Sequence, residues 1–139
     1  MAVYVIWRDE YSVGNSDIDD QHKRIIGIIN TVFSLVKDGG SEEDFWKALD
    51  GLKQYTIVHF KFEEGILSLA EYPGLKEHIL VHQKMNARIE TLFVKRPGAA
   101  ISVLAEELLA ILKDWWLNHI RGVDALYAPY MDQISKSSY

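Results

Sequence analysis

Apolar residues recur at every third or fourth position over long stretches of the chain, and glycine and proline fall between the stretches. The first stretch carries Ile18, His22, Ile25, Ile29, Val32 and Val36, and the second carries Phe45, Leu49, Leu52, Thr56, His59, Glu63 and Ile66. The third carries Leu75, His78, His82, Met85, Ile89 and Leu92, and the fourth Ile101, Leu104, Leu108, Leu112, Trp115, His119 and Val123. This spacing places each set on one face of a helix, so each stretch predicts an amphipathic helix with one buried stripe. DGG at 38–40, YPG at 72–74 and RPG at 96–98 mark the breaks, and Ser16 is the expected N-cap of the first helix. Short connections force neighbouring helices to run antiparallel, so the predicted fold is all-α: an up-down-up-down four-helix bundle, with the residues before the first helix as an extended N-terminal arm. A chain of 139 residues buries one core comfortably, and 1–139 is read as a single domain.

Composition narrows the chemistry. The chain has no cysteine, which excludes disulfides, iron-sulfur clusters, thiolate-ligated haem and covalently attached c-type haem. Any cofactor must be held by nitrogen and oxygen. The net charge is −5 with both signs interspersed, so no basic footprint for nucleic acid or anionic lipid is present. The apolar start MAVYVIW lacks a preceding basic region and a small-residue cleavage site, and no run reaches membrane-spanning length. The expectation is a soluble, cytoplasmic protein with no membrane insertion.

Polar residues interrupt the buried stripes in a consistent way. All five histidines fall on inward faces, joined by Glu63 and, near the end of the last helix, by Asp124. One histidine on an apolar face is ordinarily a core residue satisfied by a backbone carbonyl, and Asp124 alone could be a solvated acid. Five imidazoles and two carboxylates in one core are different, since each buried polar group needs a partner and each charge a counter-charge. A metal satisfies them together. His59 and Glu63 are four residues apart, as are His78 and His82, so each pair shares a helical face. His119 and Asp124 are five apart, about 140° out of alignment on a regular α-helix, and need a wide turn, a π-bulge or a helix end, which Gly122 would permit.

The donor set discriminates among metals. Ile79 follows His78 where the H-E-x-x-H zinc proteases need their glutamate, and a structural zinc takes only four ligands. No histidine has a glutamate three residues before it, as the carboxylate-rich ferritin-like sites require. Imidazole-dominated ligation with two carboxylates free to bridge suits a pair of iron ions, with other first-row metals chemically open.

Together these residues resemble the hemerythrin family, in its single-domain bacterial form: Trp7, SVG at 12–14, IDDQH ending at His22, H-x-x-x-E at 59–63, YP at 72–73, H-x-x-x-H at 78–82 and WLNHIRGVD from Trp116 to Asp124. Met85 departs from the pattern, standing where an aromatic residue is more usual. The resemblance implies that His78, His82 and His119 hold one iron and His22 and His59 the other, with Glu63, Asp124 and an oxo or hydroxo group as bridges. It implies a two-histidine iron with a free coordination position, where dioxygen binds reversibly for transport, storage or delivery. Leu117 is expected to cover that position, with plain core packing as its alternative. Tyr127, three residues after Asp124, could support that bridging carboxylate by a hydrogen bond, although a surface or packing position is the default for a tyrosine. The reading is of a monomeric carrier that is not an enzyme and that could serve an oxygen-consuming enzyme. The alternatives are an oxygen or redox sensing module, and a di-iron peroxidase, oxidase or nitric oxide reductase.

Overall fold

The computed structural model describes residues 3–95 and 100–131. Four α-helices account for most of them: α1 Ser16–Asp38, α2 Glu42–Leu69, α3 Leu75–Val94 and α4 Ile101–Asp114. The connection expected at 96–98 lies outside the described residues; the other two fall where glycine and proline predict them.

Capping chemistry sets the helix ends. The side chain of Asn15, rather than Ser16, accepts the Ile18 N–H, so Ser16 is the first residue of α1 and the cap sits one position earlier than expected. Both residue types cap well, and the choice is made by which backbone is extended (Asn15 φ −132°). Gly39 ends α1 with a φ of 83°, a conformation that favours glycine. Ser41 and Asp44 then form a reciprocal capping box that starts α2.

The helices form a closed square in which α1 packs on α2 and α4, and α3 packs on the same two. The main core contains Ile25, Ile29, Val32, Leu49, Leu52, Ile89, Leu104, Leu108 and Leu112, each at most 1 % exposed. A smaller apolar cluster of Val13, Ile18, Leu67, Tyr127 and Met131 closes the opposite end. The polar stripe residues lie between the two.

The N-terminal arm is fastened to α1 by two side chains, Asp19, which accepts the Ser12 hydroxyl and the Val13 N–H, and Asn30. Asn30 accepts the N–H groups of Tyr4 and Val5 through Oδ1 (2.8 and 3.0 Å) and donates to the Val5 carbonyl (2.8 Å). Further on, Asp9–Tyr11 make a single 3-10 turn, and Tyr11 stacks edge-on against both Trp7 and Trp116. The arm therefore reaches the far end of α4.

Candidate metal centre

The end of α4 is where the structure departs most from regular geometry. After Asp114 the helix widens into a π-helix, Trp115–Val123, followed by a 3-10 turn at Asp124–Tyr127. The Asp124 N–H bonds to the carbonyl of His119, five residues back, which brings the two side chains onto one face. This is the irregularity that their spacing requires. Gly122 is not its steric cause: a Cβ there would meet only the Leu117 carbonyl at 3.8 Å.

Seven side chains converge, and all are buried: His22, His59, Glu63, His78, His82, His119 and Asp124, the most exposed being His119 at 4 %. They come from the N-terminal parts of α1 and α3, the C-terminal part of α2, and the π-helix and 3-10 turn that continue α4, as antiparallel packing demands. Each carboxylate divides its oxygens. Glu63 Oε1 faces His78 (2.6 Å) and His82 (3.0 Å), while its Oε2 faces His22 (3.6 Å) and His59 (3.5 Å). Asp124 Oδ1 lies 3.1 Å from both His78 and His119, and its Oδ2 lies 3.2 Å from His22. Two overlapping donor sets result: Glu63, His78, His82, His119 and Asp124, and His22, His59, Glu63 and Asp124, with ligand atoms in each within 4.8 Å of one another.

Protein groups alone do not satisfy this cluster. His22 Nε2, His59 Nε2 and both Asp124 oxygens are buried without a hydrogen-bond partner. His82 and His119 face each other through Nε2 at 3.2 Å, so one must supply a proton that the other accepts. Leaving such groups unpaired costs about 1–3 kcal/mol each, and two cations would engage them all. The electrostatics agree. Burial opposes charge on His22, but the adjacent Asp124 and Glu63 carboxylates outweigh burial and push its pKa up to about 9; the same two carboxylates raise His78 to about 9. Burial dominates for His59, pushed down to about 4, and lowers His119. Burial raises both carboxylates, yet the histidines around Glu63 hold it well below the usual range, and Asp124 is also lowered. The site is built for positive charge at its centre.

A family described as "Hemerythrin HHE cation binding domain" matches residues 13–131. The chain belongs to the hemerythrin family. It is 33 % identical to the bacteriohemerythrin of Stenotrophomonas maltophilia over 125 residues, covering 89 % of this chain and 79 % of that protein. The bacteriohemerythrin of Methylococcus capsulatus is 30 % identical (93 % and 97 % covered), and the myohemerythrin of Riftia pachyptila 27 % (88 % and 89 %). Crystal structures of hemerythrin variants, one with leucine replaced by tyrosine and one with leucine replaced by alanine, superpose with TM-scores of 0.78 and 0.77 at 28 % identity, covering 94 % of this chain and 98 % of theirs. The hemerythrin domain binds a di-iron centre, and the cluster here is able to hold it.

Around this hemerythrin cluster lie residues that sequence periodicity does not reveal. Gln21 Oε1 accepts from His59 Nδ1 at 2.6 Å, and Glu64 accepts from His82 Nδ1 at 2.7 Å. Both acceptors fix the proton on Nδ1 and leave Nε2 bare toward the cluster. Their one signal is adjacency, since each sits next to a cluster residue but off the buried stripe. Tyr127 does support a carboxylate, although it donates to Glu63 (2.8 Å), not to nearby Asp124. Leu117 is not gathered with the others. It is 49 % exposed and lines a surface groove beside the N-terminal arm, because the widened helix turns it outward and turns Trp115 and Trp116 in. The apolar ring against the cluster belongs to Phe60, stacked on His82 at 3.8 Å, near His59 and His119, and backed by Trp115 at 5.4 Å.

Proposed function

We propose that this hemerythrin-family chain binds dioxygen reversibly at a non-haem di-iron centre, with His78, His82 and His119 holding one iron, His22 and His59 the other, and Glu63 and Asp124 bridging. The observation that carries the ligand assignment is the division of each carboxylate between the two histidine groups. Held by these residues, an iron pair would supply the electrons and a binding position for dioxygen. The protein's part is to fix and shield it. Gln21 and Glu64 orient His59 and His82, Tyr127 restrains Glu63, and unequal numbers of histidines leave the two-histidine position short of one protein ligand. Phe60, backed by Trp115, keeps bulk water from the His59 and His82 side. Slow loss of the oxygenated form, and so carriage rather than turnover, follows from that exclusion. No described helix is long and apolar enough to cross a membrane. The whole chain acts as one cytoplasmic domain, a monomer that transports or stores oxygen or delivers it to an oxygen-consuming enzyme, and is not itself an enzyme.

Anaerobic reduction, exposure to air and purging with argon test the reading. A visible absorption band should appear with air and disappear with argon, in protein carrying two irons per chain. His22→Ala should lose one iron preferentially, or lose oxygen binding. A reproducible single metal per chain, zinc instead of iron, or a His22→Ala protein with both irons and normal oxygenation would overturn the assignment.

A further inference from the structure

Two of the cluster histidines have a protein acceptor on Nδ1: His59, bonded to Gln21 at 2.6 Å, and His82, bonded to Glu64 at 2.7 Å. The Nδ1 atoms of His22, His78 and His119 are buried without one. His59 shares its donor set with His22, and His82 shares the other with His78 and His119. Each set therefore has one supported ring. A histidine that ligates through Nε2 carries its proton on Nδ1, so Gln21 presents its amide oxygen and Glu64 a carboxylate oxygen. Glutamine and glutamate match in size and reach, and the two supports differ chiefly in charge.

That charge works through the ring. An acceptor on Nδ1 raises the basicity of Nε2, and an anion does so more strongly than an amide dipole. Glu64 is 27 % exposed and makes no second ion pair among the described residues, so its charge bears on His82. The bridging carboxylate is unequal in the same sense. Tyr127 donates to Glu63 Oε2, the oxygen that faces His22 and His59. Among the described residues no hydroxyl reaches Oε1, which faces His78 and His82. The donated hydrogen bond draws electron density from Oε2 and weakens it as a ligand on the two-histidine side.

We propose that Glu64, with Gln21 as its neutral counterpart, makes the two iron positions electronically unequal, so that the first electron withdrawn from the reduced centre leaves the three-histidine side. The inference rests on the di-iron assignment proposed for this cluster. Glu64 and Gln21 are positioning residues: they act through His82 and His59. A half-oxidised centre then carries its higher charge beside His78, His82 and His119. The reduced ion stays beside His22 and His59, where a protein ligand is lacking and dioxygen is to bind.

Electrochemical titration of the iron-loaded protein without oxygen tests this, the electrode taking up the electrons. The parent should oxidise in two one-electron steps. Glu64→Gln keeps an acceptor on His82 but removes the charge, and should raise the first midpoint more than the second. The expected size is about tenfold in the preference for the ferric over the ferrous ion, or about 59 mV for one electron. Gln21→Glu adds the charge beside His59 and should lower the second midpoint more than the first; if that variant loses iron, Glu64→Gln alone decides. A single two-electron step in the parent, a Glu64→Gln shift that falls mainly on the second step, or no shift at all would overturn the proposal and leave both residues as orienters of their rings. Iron content and the air-dependent absorption band, measured on the same samples, report separately on the di-iron reading.

Discussion

At the scale of single residues, exposure decides what guards the centre. Leu117 is half exposed, whereas the Phe60 ring lies flat on His82. Phe60→Ala is expected to hasten decay of the oxygenated absorption band, and Leu117→Ala to leave it unchanged. Truncating a buried phenylalanine costs about 3–5 kcal/mol, so decay rates are compared at a temperature where both variants keep their helicity and their iron. Tyr127→Phe removes a buried donor to Glu63 and is expected to cost about 1–3 kcal/mol in chemical denaturation, with iron still bound. The histidines and Glu63 were legible because they occupy apolar positions of a 3.6-residue stripe, where a polar side chain stands out. Leu117 was misplaced because that periodicity was carried through a segment where it does not hold. Gln21 and Glu64 were hidden, since polar residues beside a stripe look like an ordinary solvated face.

At the scale of elements, the π-helix Trp115–Val123 does the positioning that a regular helix could not. Gly122 marked the place in the sequence, yet the backbone there has no positive φ and an added Cβ meets nothing closer than 3.8 Å. Gly122→Ala is therefore expected to retain both irons and to change stability by less than about 1 kcal/mol, in the stabilising direction if the unfolded chain loses freedom. A thermal melt with iron analysis checks this, and loss of iron would show that glycine is needed for the widening. The N-terminal arm depends on Asn30 in a more brittle way, because three hydrogen bonds end on one amide. The four helices and their order were readable from periodicity and punctuation, but the arm's Asn30 anchor was not, since a lone asparagine on a helix carries no pattern.

At the scale of the whole molecule, the cluster makes stability depend on metal and on pH. In the metal-free chain His22 and His78 are raised to about 9, so the stability they contribute is complete below about 6.5 and is lost as the pH rises through about 9. His59, lowered to about 4, has the opposite sign: its contribution is present above about 6.5 and is lost as the pH falls through about 4. Glu63 and Asp124, both lowered, act in the same sense further into acid. The melting temperature of the metal-free protein should therefore peak near pH 6.5 and decline toward pH 9, whereas the iron-loaded protein, whose ligands have already given up those protons, should not decline over that range. A metal-free protein equally stable at pH 6.5 and 9 would show that the two imidazoles are not charged in the fold. The convergence of all four helices has a further meaning in polymer terms. His22 and Asp124 lie roughly 100 residues apart in a chain without cysteine, and closing a loop of that length is worth about 4.7 kcal/mol in the chain-entropy description of a covalent bridge. Wherever an ion keeps hold of both ends as the helices come apart, the centre acts as a reversible cross-link, one that acid or a chelator opens and a thiol reductant does not.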